Sequence, residues 1–354
     1  MEKLTQKKLT LLSRENEQCA EIIGLRYIDS DDLGIRRIRR GKGFSYHYTN
    51  GKKVENAGIL KRIKALVIPP AWTEVWICES PKGHIQATGY DKKDRKQYLY
   101  HSEWITLRSQ TKFSQLYPFG LLLPHIKKAI SEDLSVSGLP LQRVLATVVS
   151  LLLKLHARIG NEYYEEENGS YGLTTLKQEH VTIHKDKMMF SFPGKKGIVQ
   201  ELSLRHKQLA HIVRKCRNLP GEALFKHIGA EHQSIPIDSE MVNTYIKNTT
   251  GGPYTAKDLR TWSGSVLAVE YLIRHQFPSV QEKREEVISA VISKVADRLS
   301  NTKSICEKYY IHPVIFEYYR CNKWKPALDV GNKDFHHSHN RSEKVLLNLL
   351  KDLA

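Results

Sequence analysis

Between Val144 and Leu155 the chain sets Val144, Leu145, Val148, Leu151, Leu152 and Leu155 on one helical stripe. Apolar residues at that spacing bury one face of a helix, so the segment must lie against a core. Arg143 precedes the run, Lys154 falls inside it, and it is too short to cross a bilayer. Arg158 follows at once, so a charged side chain projects from the end of a buried element.

The chain reads differently before this helix. From about Tyr27 to Tyr100, short runs such as Phe44–Tyr48, Val75–Cys78, Ile85–Thr88 and Gln97–Tyr100 alternate with turn signals at Asn50-Gly51 and Pro81-Lys82-Gly83. That pattern predicts a small β-rich domain, with a helix over Ile59–Leu66. Helical spacing begins near residues 103–112 and continues over Leu121–Ile130 and Leu139–Ala157. Residues 171–204 read as a β-meander, with strands at Leu173–Leu176, Val181–Ile183, Met188–Phe192 and Ile198–Leu204 around a turn at Pro193-Gly194. From residue 205 onward the expectation is helix, ending in an amphipathic helix from Ser342 through Leu353. The fold class is therefore α+β. The expected division is an arm (1–24), a β-rich domain (25–105), a larger, mainly helical domain (106–320) and a C-terminal extension (321–354).

Composition narrows the partner. Lys and Arg number 55 against 38 Asp and Glu, a formal charge of +17. Such an excess favours a polyanion, nucleic acid first. The five cysteines are scattered without CxxC spacing, which fits reduced thiols inside a cell rather than a disulfide framework or zinc ribbon. Met1–Arg14 is polar and charged, unlike a signal peptide. The expected setting is cytoplasmic, on the nucleoid.

Four residues suit one chemistry. Arg158 and Arg260 are permanent cations with forked donors, Lys195 sits at a Pro-Gly-Lys-Lys-Gly turn, and Tyr310 precedes Ile-His-Pro. Breaking a phosphodiester with a phenol needs cations for the extra charge on the non-bridging oxygens and a proton for the leaving oxygen. Two arginines, a lysine and a tyrosine supply both without metal. Each is weak evidence alone: an arginine after a helix is commonly a cap, and a lysine at a hairpin tip is commonly solvated.

The order of blocks adds to this. Arg158-Ile-Gly-Asn-Glu-Tyr-Tyr164, Tyr171-Gly-Leu-Thr-Thr-Leu-Lys177, Phe192-Pro-Gly-Lys-Lys-Gly197, Lys257-Asp-Leu-Arg-Thr-Trp262 and the Asn301-Thr to Tyr310-Ile-His-Pro313 segment resemble, in order and spacing, the poxvirus-type DNA topoisomerase IB family in its bacterial branch. Gly89–Tyr100 is similar to a DNA-contacting stretch of that family, and the resemblance covers roughly residues 25–320. It implies a tyrosine recombinase/topoisomerase IB-like catalytic fold in a C-shaped clamp on duplex DNA. Tyr310 would form a 3′-phosphotyrosyl bond, Arg158 and Arg260 would bind the non-bridging oxygens, and Lys195 would act as general acid with Lys257 assisting. Asn301 would take the slot of the viral phosphate-binding histidine. Arg95, Gln97, Tyr98, Tyr100 and Tyr164 would touch DNA. The implied protein is a monomer without cofactor, metal, membrane or small-molecule substrate.

Two departures stand out. The family's Asn-Thr-Pro reads Asn301-Thr302-Lys303, and the small residue before the nucleophile is Tyr309, so Tyr309 competes with Tyr310. Spacing from Asn301 and the Ile-His-Pro that follows favour Tyr310. A tyrosine recombinase is the alternative, but such enzymes place His where this chain has Lys257, and their N-terminal half is helical. A catalytically dead DNA-binding protein is a third reading. Among the remaining features, the run Ile35–Gly43 could be a plain solvated loop, but Arg36, Arg37, Arg39 and Arg40 beside Phe44, Tyr46 and Tyr48 suit a phosphate-binding surface. Glu165–Glu167 reads as a surface loop, His312 as structural, and His336, His337 and His339 as a solvated tail.

Overall fold

The computed structural model describes residues 16–41, 43–275, 277–321, 323, 324, 328, 338–351 and 353. Most of the expected arm, His336, His337 and much of the C-terminal extension lie outside them, as does the Tyr164 side chain. The chain forms two compact units, residues 1–115 and 116–354.

In the first unit a short helix α1 (Asn16–Ile22) leads into strands β1 (Gly34–Arg40) and β2 (Gly43–Tyr48), helix α2 (Ala57–Ala65), strands β3 (Thr73–Cys78), β4 (Ile85–Tyr90) and β5 (Lys96–Tyr100), and helix α3 (Ser102–Thr111). The strands make one antiparallel sheet in the order β2-β1-β3-β4-β5. Its register explains which residues are buried. Ile35 pairs Ile77, Ile77 pairs Ala87 and Ala87 pairs Leu99. These residues form the core with Ile63 of α2, whose N-terminus is capped by the Asn56 side chain. Ile35–Arg40, outside the runs expected as strands, is also strand. The arginines conceal it, because strand residues alternate faces and only Ile35 of the run is fully buried. β1 and β2 form one hairpin that turns at Gly41, and Asn50-Gly51 turns the chain back on β2 as the pattern predicts, with Tyr48 N donating to the Lys52 carbonyl and Val54 N to the Tyr46 carbonyl.

The second unit holds α4 (Leu116–Ser135), α5 (Leu141–Leu155), α6 (Glu162–Asn168), strands β6 (Val181–His184), β7 (Lys187–Pro193) and β8 (Val199–Arg205), α7 (Lys207–Arg217), β9 (Lys226–Ile228), β10 (Ser234–Pro236), α8 (Ser239–Thr250), α9 (Ala256–Ile273), α10 (Gln281–Arg298), α11 (Lys303–Tyr310), α12 (Pro313–Arg320) and α13 (Arg341–Lys351). The apolar stripe is the buried helix α5, which packs against α4, α8 and α9. β6-β7-β8 is the expected meander, but Leu173–Thr175 is a 3₁₀ turn, and the β9–β10 pair interrupts the expected helices. Glu165–Glu167 belongs to α6 and is not a loop.

The last helix is a packing element. Val345, Leu346, Leu347, Leu349 and Leu350 are buried, and Leu347 approaches Gly120 of α4, where Trp262 of α9 also packs. Lys127 Nζ donates to both Glu343 oxygens, at 2.7 and 3.0 Å. His339 is not solvated: it is 4% exposed and its Nε2 lies 2.9 Å from the Gly120 carbonyl. Through Trp262, this helix supports the segment of α9 that carries Arg260.

Candidate nucleic-acid cleavage site

Arg158 leaves the C-terminal end of α5 through a sharp turn. His156 ends the helix in the left-handed region (φ 55°), and Gly160 follows at φ 113°. A Cβ on Gly160 would stand 2.7 Å from Thr174 Oγ1, so the turn needs glycine both for its φ and for space. Thr174 N and Oγ1 donate to the Ile159 carbonyl, and Leu173 N donates to the Arg158 carbonyl. The 3₁₀ turn therefore fixes the backbone that aims Arg158.

Arg158 donates from Nη2 to the Asn301 side-chain oxygen at 2.7 Å and to the Ser300 carbonyl at 2.9 Å. With its oxygen occupied, Asn301 is left with its amide hydrogens, and Nδ2 is buried without a partner. Arg260 lies in α9, whose first turn is fixed by a capping box between Thr255 and Asp258. Its Nη1 donates to the His156 carbonyl and its Nη2 to the Leu299 carbonyl. Nε is buried with no acceptor. Burial, then the neighbouring Arg158 charge, lowers the Arg260 pKa to about 10, against the opposing effect of Tyr310. It stays protonated at neutral pH. Burial also lowers the Arg158 pKa.

Tyr310 ends α11, with its ring 5.2 Å from the Arg260 guanidinium carbon. Its backbone is held against α9: Ser265 Oγ donates to the Tyr310 carbonyl at 3.2 Å and accepts from His312 N at 3.0 Å. A Cβ on Gly264 would meet the Tyr310 carbonyl oxygen at 2.6 Å, so only glycine permits this approach. Tyr309 points elsewhere, 41% exposed and beside Lys308. Adjacent helical residues differ in direction by about 100°, so the pair cannot share one position. His312 caps α12 by accepting from Val314 N, and burial lowers its pKa to about 4.

Lys195 is exposed, in the 3₁₀ turn between β7 and β8, and Gly194 beside it lines the cavity shared by Arg158 and Arg260. Lys257 is also exposed, on the first turn of α9. The site thus pairs Arg158 with Asn301 and Arg260 with Tyr310 in direct contacts, with both lysines at exposed positions. His156 and Arg298 line the same cavity and were not singled out in the sequence. Neither belongs to a motif; only the short spacing of Arg298 from Asn301 hinted at it.

In the first unit, Arg36 pairs with His47 and Trp76, Trp76 with Thr88, and Thr88 with Tyr98. Arg36, Ile38 and Arg40 share this face, opposite the core face of Ile35. Tyr98 and Tyr100 stack with centroids 5.9 Å apart and are 43% and 41% exposed. Arg36, Arg39 and Arg40 are exposed. Arg37 differs from the expected DNA-facing set. It donates to the Ile68, Pro69 and Trp72 carbonyls and lies over Phe44, so its fork is occupied inside the domain. Arg95 and Gln97 both bind Asp91, Arg95 Nη2 at 2.6 Å, and the Arg95 hydrogen bond lowers the Asp91 pKa to about 2. Among the described residues there is no group of three or more His, Cys, Asp or Glu able to hold a metal, and no helix long and apolar enough to cross a membrane.

Known proteins bear on this arrangement. A family model described as eukaryotic DNA topoisomerase I, catalytic core, matches residues 101–325, and one described as bacterial DNA topoisomerase IB, N-terminal domain, matches residues 43–91. DNA topoisomerase 1B of Acanthamoeba polyphaga mimivirus is 28% identical over 327 residues, covering 90% of this chain and 94% of that one. DNA topoisomerase 1B of vaccinia virus (strain Copenhagen) is 25% identical over 256 residues, covering 69% and 74%. The catalytic-core match takes in every element that carries Arg158, Lys195, Arg260, Asn301 and Tyr310, and with the N-terminal match it makes this chain a member of the DNA topoisomerase IB family.

Proposed function

We propose that this enzyme relaxes supercoiled duplex DNA by transient cleavage of one strand through Tyr310. The Tyr310 oxygen attacks the scissile phosphorus and forms a 3′-phosphotyrosyl diester. The P–O5′ bond breaks, and the departing 5′-oxygen takes a proton from Lys195. Arg158 and Arg260 bind the non-bridging oxygens, with the Asn301 amide as a further donor and Lys257 assisting. After strand rotation the 5′-hydroxyl attacks the phosphotyrosine and restores both groups. One phosphodiester is exchanged for another at each step, so ATP supplies nothing that the covalent bond does not already hold.

The observation that carries this reading is a pair of buried donors, Arg260 Nε and Asn301 Nδ2, with no acceptor beside the Tyr310 ring. Buried polar groups are nearly always hydrogen-bonded, so these two orphans, one on Arg260 in the cavity wall and one on the Asn301 that holds Arg158, mark a place for phosphoryl oxygens. The apposition of Arg260 and Tyr310 favours Tyr310 over Tyr309 as nucleophile.

In this reading residues 25–105 grip DNA, 106–320 cut it, and 321–354 include the helix that buttresses α9, with 1–24 as an arm. Arg36, Arg39, Arg40, Tyr98 and Tyr100 contact the duplex, with Arg95, Gln97 and Tyr164 nearby. The enzyme works as a monomer in a bacterial cytoplasm, on the nucleoid, since one nick needs one active site.

The test is incubation with supercoiled plasmid in EDTA without ATP. Wild type and Tyr309→Phe give relaxed topoisomers, whereas Tyr310→Phe binds DNA but neither relaxes it nor forms an adduct. Relaxation by Tyr310→Phe would overturn the assignment. Defined-site strand exchange without relaxation would instead favour recombination.

A further inference from the structure

A third arginine faces the cavity. Helix α10 ends at Arg298, two residues before the Ser300 carbonyl that accepts from Arg158. Arg298 lines the same cavity as Arg158 and Arg260, yet it is exposed where Arg260 is buried. No carboxylate is among the described residues that line this cavity. Three arginines thus line one cavity whose described lining holds no carboxylate. At His156, burial first and then the charges of Arg298 and Arg260 lower the pKa to about 4.

A cation in the last turn of a helix is ordinary, because the helix dipole favours it there. That preference is met by any direction the side chain takes and does not require it to join two other arginines. The reacting group does not require it either. A phosphodiester carries one negative charge and its pentacoordinate transition state two, which Arg158 and Arg260 match. Arg298 is a further positive charge at the solvent side of the cavity. Successive phosphates on one strand follow at about 3.4 Å of helix rise, so an anion bound at the mouth of the cavity brings another of the same kind beside it.

We infer that Arg298 binds the backbone phosphate next to the scissile one on the cleaved strand and so sets the register of DNA over Tyr310. This rests on the proposed cleavage reaction and adds a second phosphate subsite to it. Arg298 is a positioning residue, since its phosphate does not react.

The experiment pairs protein and DNA changes. On a short duplex with one mapped cleavage site, a neutral methylphosphonate replaces the first phosphate on either side of the scissile one, each in turn. Binding and single-turnover adduct formation are measured for wild type, Arg298→Ala and Arg298→Gln. Both variants are expected to bind about 3–10-fold more weakly at moderate salt and to reduce the slope of log K against log salt by about 1. One of the two methylphosphonates should weaken wild type several-fold and change either variant less than two-fold. The inference is overturned if both methylphosphonates weaken the variants as much as wild type, or if the salt slope is unchanged. Failure of wild type to form any adduct would instead count against the cleavage reaction, which separates the two claims. A variant that misfolds is recognised by its melting temperature, and Arg298→Gln keeps the stem of the side chain for that case.

Discussion

Arginine serves opposite ends in the two units. Arg260 is 7% exposed, donates to two backbone carbonyls and keeps its Nε unpartnered. Arg36 and Arg40, in the sheet of the first unit, are exposed on a strand face that also carries Tyr98. A buried guanidinium is costly to desolvate and is held only where its remaining contacts are good. In exchange it acts on a phosphoryl group with little screening by water. An exposed one is screened and adjustable, and it contributes affinity rather than rate. Under the proposed cleavage reaction the same side chain is a reagent in one unit and a counter-ion in the other. Arg260→Ala should show this most strongly, lowering adduct formation by about 10²–10³-fold or more. It also leaves the His156 and Leu299 carbonyls unpaired, each costing about 1–3 kcal/mol. Arg260→Lys keeps the charge but cannot span both carbonyls, and its single-turnover rate should stay near the alanine level. Recovery to near wild type would show that charge alone suffices there.

Burial has a second consequence, this time for stability. His156 and His312 both have folded-state pKa values lowered to about 4, chiefly by burial, from an unfolded value near 6.5. Between those values the unfolded chain binds protons that the folded chain refuses, so stability is complete above about pH 6.5 and falls as pH drops toward 4. For His312 the loss is about 2–4 kcal/mol at the acid end. His312→Asn preserves a capping acceptor for Val314 N and removes the titration. Melting temperature against pH from 7 to 4 should flatten in this variant, and an unaltered slope would place the acid sensitivity elsewhere.

Much of this was legible in the sequence where local chemistry decides the structure. The α5 stripe and the Pro193-Gly194 turn are local signals, and each appears where the pattern predicts. Arg158, Lys195, Arg260, Asn301 and Tyr310 could be named because the blocks that hold them resemble, in order and spacing, those of the topoisomerase IB family. Non-local contacts were not legible. Nothing near Arg37 in sequence indicates that carbonyls more than 30 residues away occupy its fork. His339 read as a tail residue because the Gly120 carbonyl that receives it is 219 positions away. Leu173–Thr175 has strand composition, but the turn at Gly160 bonds it to Arg158 and Ile159 and winds it into a 3₁₀ turn.

Arg36 and Arg37 give the finest test of the contrast, because they are neighbours in one strand. Side chains in a strand alternate faces: Arg36 is exposed on the face it shares with Trp76 and Tyr98, and Arg37 turns to the carbonyls of residues 68, 69 and 72. If Arg36 meets phosphate, Arg36→Ala reduces the salt slope of DNA binding by about 1 and lowers affinity modestly. Its melting temperature stays near wild type, because exposed substitutions usually change stability by under about 0.5 kcal/mol. Arg37→Ala should do the reverse. It strands three carbonyls that water only partly reaches and destabilises the first unit by about 1–3 kcal/mol, while the salt slope holds. Equal salt slopes for the two variants would mean that the sheet face of Arg36 does not meet phosphate. The exposed arginines would then act only through the long-range field of the protein, which is weaker and lost at high salt.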